Sequence, residues 1–104
     1  MYTSLTPRDP SVAFAEMCEY INEIGGNHHL WYVGITSDLM QRLCDEHSVP
    51  REGHPCISRR CFENSDARLV EQGLLNIGCD GGGGGGDTSS VFVYAYRKGA
   101  TTKP

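Results

Sequence analysis

The chain has 104 residues, of which 38% are hydrophobic and 21% charged, enough for one compact domain and too few for two. A net charge of −4 and a pI of about 5.4 argue against a protein that coats nucleic acid through a broad basic face, while leaving room for a local basic site. No apolar run approaches the roughly 20 residues that cross a bilayer, and the opening MYTSLTPRDP has no apolar core of a signal peptide, so the expectation is a cytoplasmic protein that does not enter membranes.

In chain order, residues 1–10 are polar, carry Pro7 and Pro10, and read as a disordered arm. A single domain is expected over residues 11–98. Its first helix starts at Ser11 as N-cap, because Phe14, Met17, Cys18, Ile21 and Ile24 recur at three- and four-residue steps; Gly25-Gly26 ends it. Leu30 to Ile35 is an apolar, buried-type strand containing Gly34. Ser37 or Asp38 caps a second helix to about His47, with Leu39, Met40, Leu43 and Cys44 as its apolar arc.

A loop with two prolines follows at residues 48–55, then a short alternating strand from Cys56 to Phe62. Asn64, Ser65 or Asp66 caps a third helix to about Ile77, whose apolar face is Ala67, Val70, Leu74 and Ile77. The segment CDGGGGGGD is the one low-complexity stretch. VFVYAYR, Val91 to Arg97, is the strongest strand signal, and residues 99–104 read as a loose tail. Three strands with helices between and before them predict a small α/β (α+β) domain, a three-stranded sheet flanked by helices.

Several residues stand out chemically. Glu71 shares or borders the buried face of the third helix, where a carboxylate needs a partner, a metal or a wet cleft. The alternative is an edge position where the carboxylate snorkels outward or pairs with Arg68 or Arg42. Arg42 can offer paired donors to a phosphate or lie in solvent. His47, near a helix end, suits either the helix dipole or proton transfer. Tyr32 needs a hydroxyl partner if buried. The glycines from Gly81 to Gly86 serve as a flexible connection or as an anion-binding nest, with Asp80 and Asp87 able to pin the ends. Cys44, His47, His54 and Cys56 have zinc-like but irregular spacing. The five cysteines, Cys18, Cys44, Cys56, Cys61 and Cys79, are odd in number and lack a secretory signal, which favours free thiols.

Taken together, Tyr32-Val33-Gly34, Ile35-Thr36-Ser37-Asp38, Arg42-Leu43, Glu46-His47 and the later Ala67-Arg68-Leu69-Val70-Glu71 resemble the GIY-YIG nuclease family, over about Leu30 to Ile77. Tyr32-Val33-Gly34 matches the second tripeptide. The first is not recognisable, and Cys18-Glu19-Tyr20 falls within the predicted first helix, which would be an addition to the family's core.

The resemblance implies an endonuclease that hydrolyses DNA phosphodiester bonds with one divalent ion, Mg²⁺ or Mn²⁺. Glu71 would be the metal ligand. Arg42 would stabilise charge on the phosphate, Tyr32 would position or deprotonate the water, and His47 would support proton transfer. The alternative is a non-catalytic binding module that keeps the scaffold with an incomplete site. A nuclease requires Tyr32, Arg42 and Glu71 to converge on one cleft.

Overall fold

The computed structural model describes residues 2–50, 53–82 and 87–104. Its chain order is β1 (Tyr2–Arg8), α1 (Pro10–Ile24), a short 3₁₀ turn (His28–Leu30), β2 (Trp31–Thr36), a π-helical turn (Gln41–Glu46), β3 (Cys56–Cys61), α2 (Asn64–Asn76) and β4 (Phe92–Arg97). The sheet has four strands in the order β1-β3-β4-β2. β1 runs parallel to β3, while β4 is antiparallel to both β3 and β2.

The expected three-stranded sheet is thus a four-stranded mixed sheet. The extra strand comes from the segment read as a disordered arm. β1 sits at the sheet edge, the place where a strand tolerates a proline such as Pro7, and its register with β3 shifts between Ser4 and Arg8. Helix α1 starts with Asp9 at the N-cap position and Pro10 in the first turn, rather than with Ser11 as cap. Gly25, at φ +92°, ends it.

Strand alternation divides the molecule into two layers. Trp31, Val33 and Ile35 of β2, Ile57 of β3, and Val93 and Ala95 of β4 share one face of the sheet. Ala13, Met17 and Ile21 of α1 and Ala67, Val70 and Leu74 of α2 pack onto that face. Each large apolar side chain buried there contributes about 1.5–3 kcal/mol. On the opposite face, Tyr94 and Tyr96 of β4 and Cys56 of β3 form a smaller cluster with Leu43 and Val49, and Tyr32 packs against it.

The segment covering that second face departs from the expected α-helix. Asp38 does cap it, accepting a hydrogen bond from Gln41 N–H at 3.1 Å. Thereafter the turns widen: His47 N–H donates to Arg42 O at 2.9 Å, and Val49 N–H to Leu43 O at 2.9 Å. A helix of 3.6 residues per turn leaves positions five apart about 140° out of line. A turn closed between residues five apart brings them nearly into line, and such π turns are uncommon and frequent at functional sites. Arg42 and His47 therefore both reach toward the sheet. Of the expected apolar arc, Leu43 is buried and Met40 is exposed.

The tail read as loose is docked. Lys103 N–H donates to His47 O at 2.7 Å, and the Gly99–Thr102 turn closes through Thr102 N–H to Gly99 O at 3.2 Å. Among the described residues, no helix is long and apolar enough to cross a membrane. All five cysteines are free.

Candidate active site

β2 is an edge strand, and a small cleft of about 40 Å³ runs along it. Its walls are the strand from Tyr32 to Ile35, together with Arg42, Glu71, Gly82 and Tyr94. Glu71 comes from α2, in the layer that holds the main core. Arg42 comes from the π turn in the other layer. Tyr32 and Arg42, ten residues apart, and Glu71, from a later helix, thus line one cleft.

Each is held by a specific local feature. Glu71 is 5% exposed because Val70 and Leu74 beside it anchor α2 in the core. Burying a carboxylate is costly, so such a position is normally kept for a partner or a ligand. Arg42 Nε lies 3.3 Å from Glu46 Oε2, whose side chain is half exposed. That Nε is buried and its N–H is not aligned on an acceptor. A surface pair of this kind contributes about 0–1 kcal/mol, little enough for a phosphate to displace.

The outer edge of β2 is partly closed by Asp80, which pairs in parallel with Tyr32. Val33 N–H donates to Asp80 O, and Asp80 N–H to Trp31 O, each at 2.8 Å. Asp80 Oδ1 accepts from Gly81 N–H at 2.9 Å, and Asp80 Oδ2 pairs with Lys98 Nζ at 3.0 Å. Gly81 is a requirement of this closure, since a Cβ there would stand 2.7 Å from Val33 O. Gly83 to Gly86, the rest of the proposed nest, lie outside the described residues.

Tyr94 is a site residue beyond those that stand out in the sequence. Strand register sets it directly opposite Gly34, and its ring lies across that glycine. A Cβ at Gly34 would stand 2.6 Å from Tyr94 Cζ and closer still to the hydroxyl. The signal was present: in VFVYAYR, Tyr94 and Tyr96 alternate with Val93 and Ala95, which sets both phenols on the face opposite the main core. The candidate first-motif tyrosine, Tyr20, lies elsewhere. It is on α1, edge-on to Trp31 at a 6.0 Å ring separation, and its hydroxyl accepts from Cys56 N–H at 3.2 Å.

His47 is not on the cleft wall. It is buried behind Tyr94, with Nε2 at 2.9 Å from the Tyr94 hydroxyl. Nδ1 lies 2.7 Å from Lys103 O and 3.2 Å from the Tyr96 hydroxyl. The ring also packs against Tyr32, with centroids 5.0 Å apart. Burial pushes the Tyr94 hydroxyl well above the ordinary phenol range; Arg42 opposes that shift, while Tyr32, Tyr96 and Glu71 add to it. Burial does the same to Tyr96. Both phenols therefore keep their protons at neutral pH.

The zinc arrangement does not form: His47 is engaged as above, and His54 Nε2 lies 2.7 Å from Arg97 O. Among the described residues, no group of three or more histidine, cysteine or acidic side chains is placed to hold a metal. A larger cavity of about 250 Å³ lies by Glu16, Glu19, Tyr20, Glu23 and Arg59. Glu16 Oε1 there is already paired with Arg59 Nε at 2.9 Å and Arg8 Nε at 3.2 Å. No family model, curated protein or solved structure matches this chain.

Proposed function

We propose that the chain is a divalent-metal-dependent endonuclease that hydrolyses DNA phosphodiester bonds, with a core like that of the GIY-YIG nucleases. The observation that carries this reading is the shared cleft of Tyr32, Tyr94, Arg42 and Glu71. A carboxylate, a guanidinium and phenols beside a backbone edge make up the functional groups that phosphodiester hydrolysis asks of a protein.

A single carboxylate suits Mg²⁺ or Mn²⁺, hard ions that bind oxygen; Mg²⁺ commonly keeps several waters and takes further ligands from substrate phosphate. Glu71 would hold it. When bound, such an ion supplies charge neutralisation at the phosphate and a more acidic water. Arg42 would donate to a non-bridging phosphate oxygen, where charge grows in the transition state. Tyr32 is a residue of the cleft wall, and its hydroxyl would orient the attacking water. Tyr94 would link the cleft to His47, through which a proton can leave. The cleft's small volume fits water-sized occupants and phosphate oxygens, so the rest of the nucleic acid would lie over the surface.

The second reading, a binding module without catalysis, is favoured by the net charge of −4, unusual for a DNA enzyme. The test is incubation of supercoiled plasmid or branched DNA with the protein and Mg²⁺ or Mn²⁺. Cleavage that falls by at least about 10²-fold in Arg42→Ala, with the fold intact by circular dichroism, is the expected result. No cleavage by the unmutated protein across both metals and substrates would leave the binding module standing.

A further inference from the structure

The segment that follows β4 turns back across the second face of the sheet and grips His47 at two points. Lys103 N–H donates to His47 O at 2.7 Å, and Lys103 O faces His47 Nδ1 at 2.7 Å. The grip uses Lys103 backbone atoms, and the Lys103 residue itself is exposed. Thr102 prepares it: its Oγ1 accepts from Gly99 N–H at 2.9 Å and lies 3.1 Å from Gly99 O, stapling the turn that presents Lys103.

A carbonyl oxygen can only accept. The ring nitrogen facing it at 2.7 Å must therefore carry the hydrogen. The Tyr96 hydroxyl oxygen, at 3.2 Å from the same nitrogen, can take only a weaker share of that hydrogen. In a neutral imidazole, hydrogen on Nδ1 leaves a lone pair on Nε2. Nε2 is 2.9 Å from the Tyr94 hydroxyl, which then has one role open to it, that of donor.

We propose that the Gly99–Lys103 segment is a positioning latch: the Lys103 carbonyl holds His47 as the Nδ1–H tautomer, so that Nε2 is the acceptor for the Tyr94 hydroxyl proton. Lys103 acts through His47 and touches neither cleft nor substrate. The consequence for chemistry rests on the nuclease reading: with its hydrogen directed at His47, the Tyr94 oxygen turns its lone pairs away from His47, free to accept a proton from a cleft water. In the other tautomer Nε2–H would point at Tyr94, and the phenol hydrogen would have to turn elsewhere. The tautomer set by a second partner is the same lever by which carboxylates and carbonyls orient working histidines.

The test is a long-range ¹H–¹⁵N correlation spectrum of histidine-labelled protein with the imidazoles neutral, His47 being assigned by its absence in His47→Gln. The unmutated protein should show Nδ1 bearing hydrogen and Nε2 bare. A chain ended at Thr101, or Thr102→Val, should lose this single tautomer and show Nε2–H. Lys103→Ala, which retains the carbonyl, should keep it. An Nε2–H signal in the unmutated protein, or an unchanged tautomer in the shortened chain, overturns the latch. If the shortened chain does not fold, the unmutated spectrum and Thr102→Val decide. The spectra need neither DNA nor metal, so failed cleavage counts against the nuclease reading and a wrong tautomer against the latch.

Discussion

Gly34→Ala tests the placement of Tyr94 against β2. The added methyl would stand 2.6 Å from Tyr94 Cζ, and Tyr94 is 1% exposed, so its ring has nowhere to withdraw without disturbing the sheet. Overpacking of a tight interior costs about 1–3 kcal/mol. A displaced Tyr94 also loses the 2.9 Å hydrogen bond to His47, worth about 1 kcal/mol. The sum, roughly 2–4 kcal/mol, is a large share of a domain stability of about 5–15 kcal/mol, and corresponds to a fall in Tm of roughly 8 °C or more. Gly82→Ala is the matched control. Its Cβ would meet Tyr32 Oη at 3.7 Å, an ordinary contact, and the change should be nearly neutral. Urea unfolding of both variants gives the comparison, repeated in a Tyr94→Leu background, where Gly34→Ala should cost clearly less because the obstructing ring is gone. A Gly34→Ala cost below about 0.5 kcal/mol, or one equal in both backgrounds, would refute the proposed packing.

Glu16→Gln should destabilise the protein by about 1–3 kcal/mol at neutral pH, because Glu16 meets the buried Arg59 guanidinium; its own 35% exposure keeps the value below that of a fully buried pair. Burial pushes the Glu16 carboxyl up, but Arg59 and Arg8 outweigh it and hold the group below its ordinary range; its contribution is thus present above the unfolded carboxylate range and lost as pH falls from that range through the lowered folded value, and an unchanged gap between the two proteins at about pH 3 would refute the assignment. Burial pushes Cys56 up to about 12 and Cys61 and Cys79 to about 11, from an unfolded value of 9.0. Raised values mean that unfolding free energy stays level below about pH 9 and drops as pH climbs through 11 to 12, with Tyr94 and Tyr96 adding to the loss above about pH 10. In the native protein a thiol reagent should modify half-buried Cys18 and Cys44 first, and rapid reaction of Cys56 would contradict its burial.

Much of this arrangement was readable from local pattern. Periodicity located α1, α2 and β4 because each sorts apolar from polar residues on its own period. Glu71 stood out because it falls among Val70 and Leu74. What local pattern lacked was information carried by distant pairing. β1 has no apolar alternation to announce it, and becomes a strand by parallel pairing with β3. The apolar spacing from Leu39 to Cys44 fits an ordinary helix, and nothing in it announces the wider turn that aligns Arg42 with His47 over the tyrosine face. Tyr94 is illegible locally because its partner, Gly34, lies on a strand distant in sequence, and the tyrosine nearest upstream of Tyr32 is Tyr20. The docking of the tail is invisible in composition because its hold on His47 uses backbone atoms.

The proposed nuclease activity assigns metal-dependent phosphodiester cleavage to the Glu71 cleft. The direct measurement is the initial rate of plasmid or branched-DNA cleavage by the unmutated protein and by Glu71→Ala, side by side, with Mg²⁺, with Mn²⁺ and with chelator. Cleavage should require the metal and vanish in folded Glu71→Ala. Cleavage that persists in Glu71→Ala, or no cleavage by the unmutated protein with either ion, would contradict it.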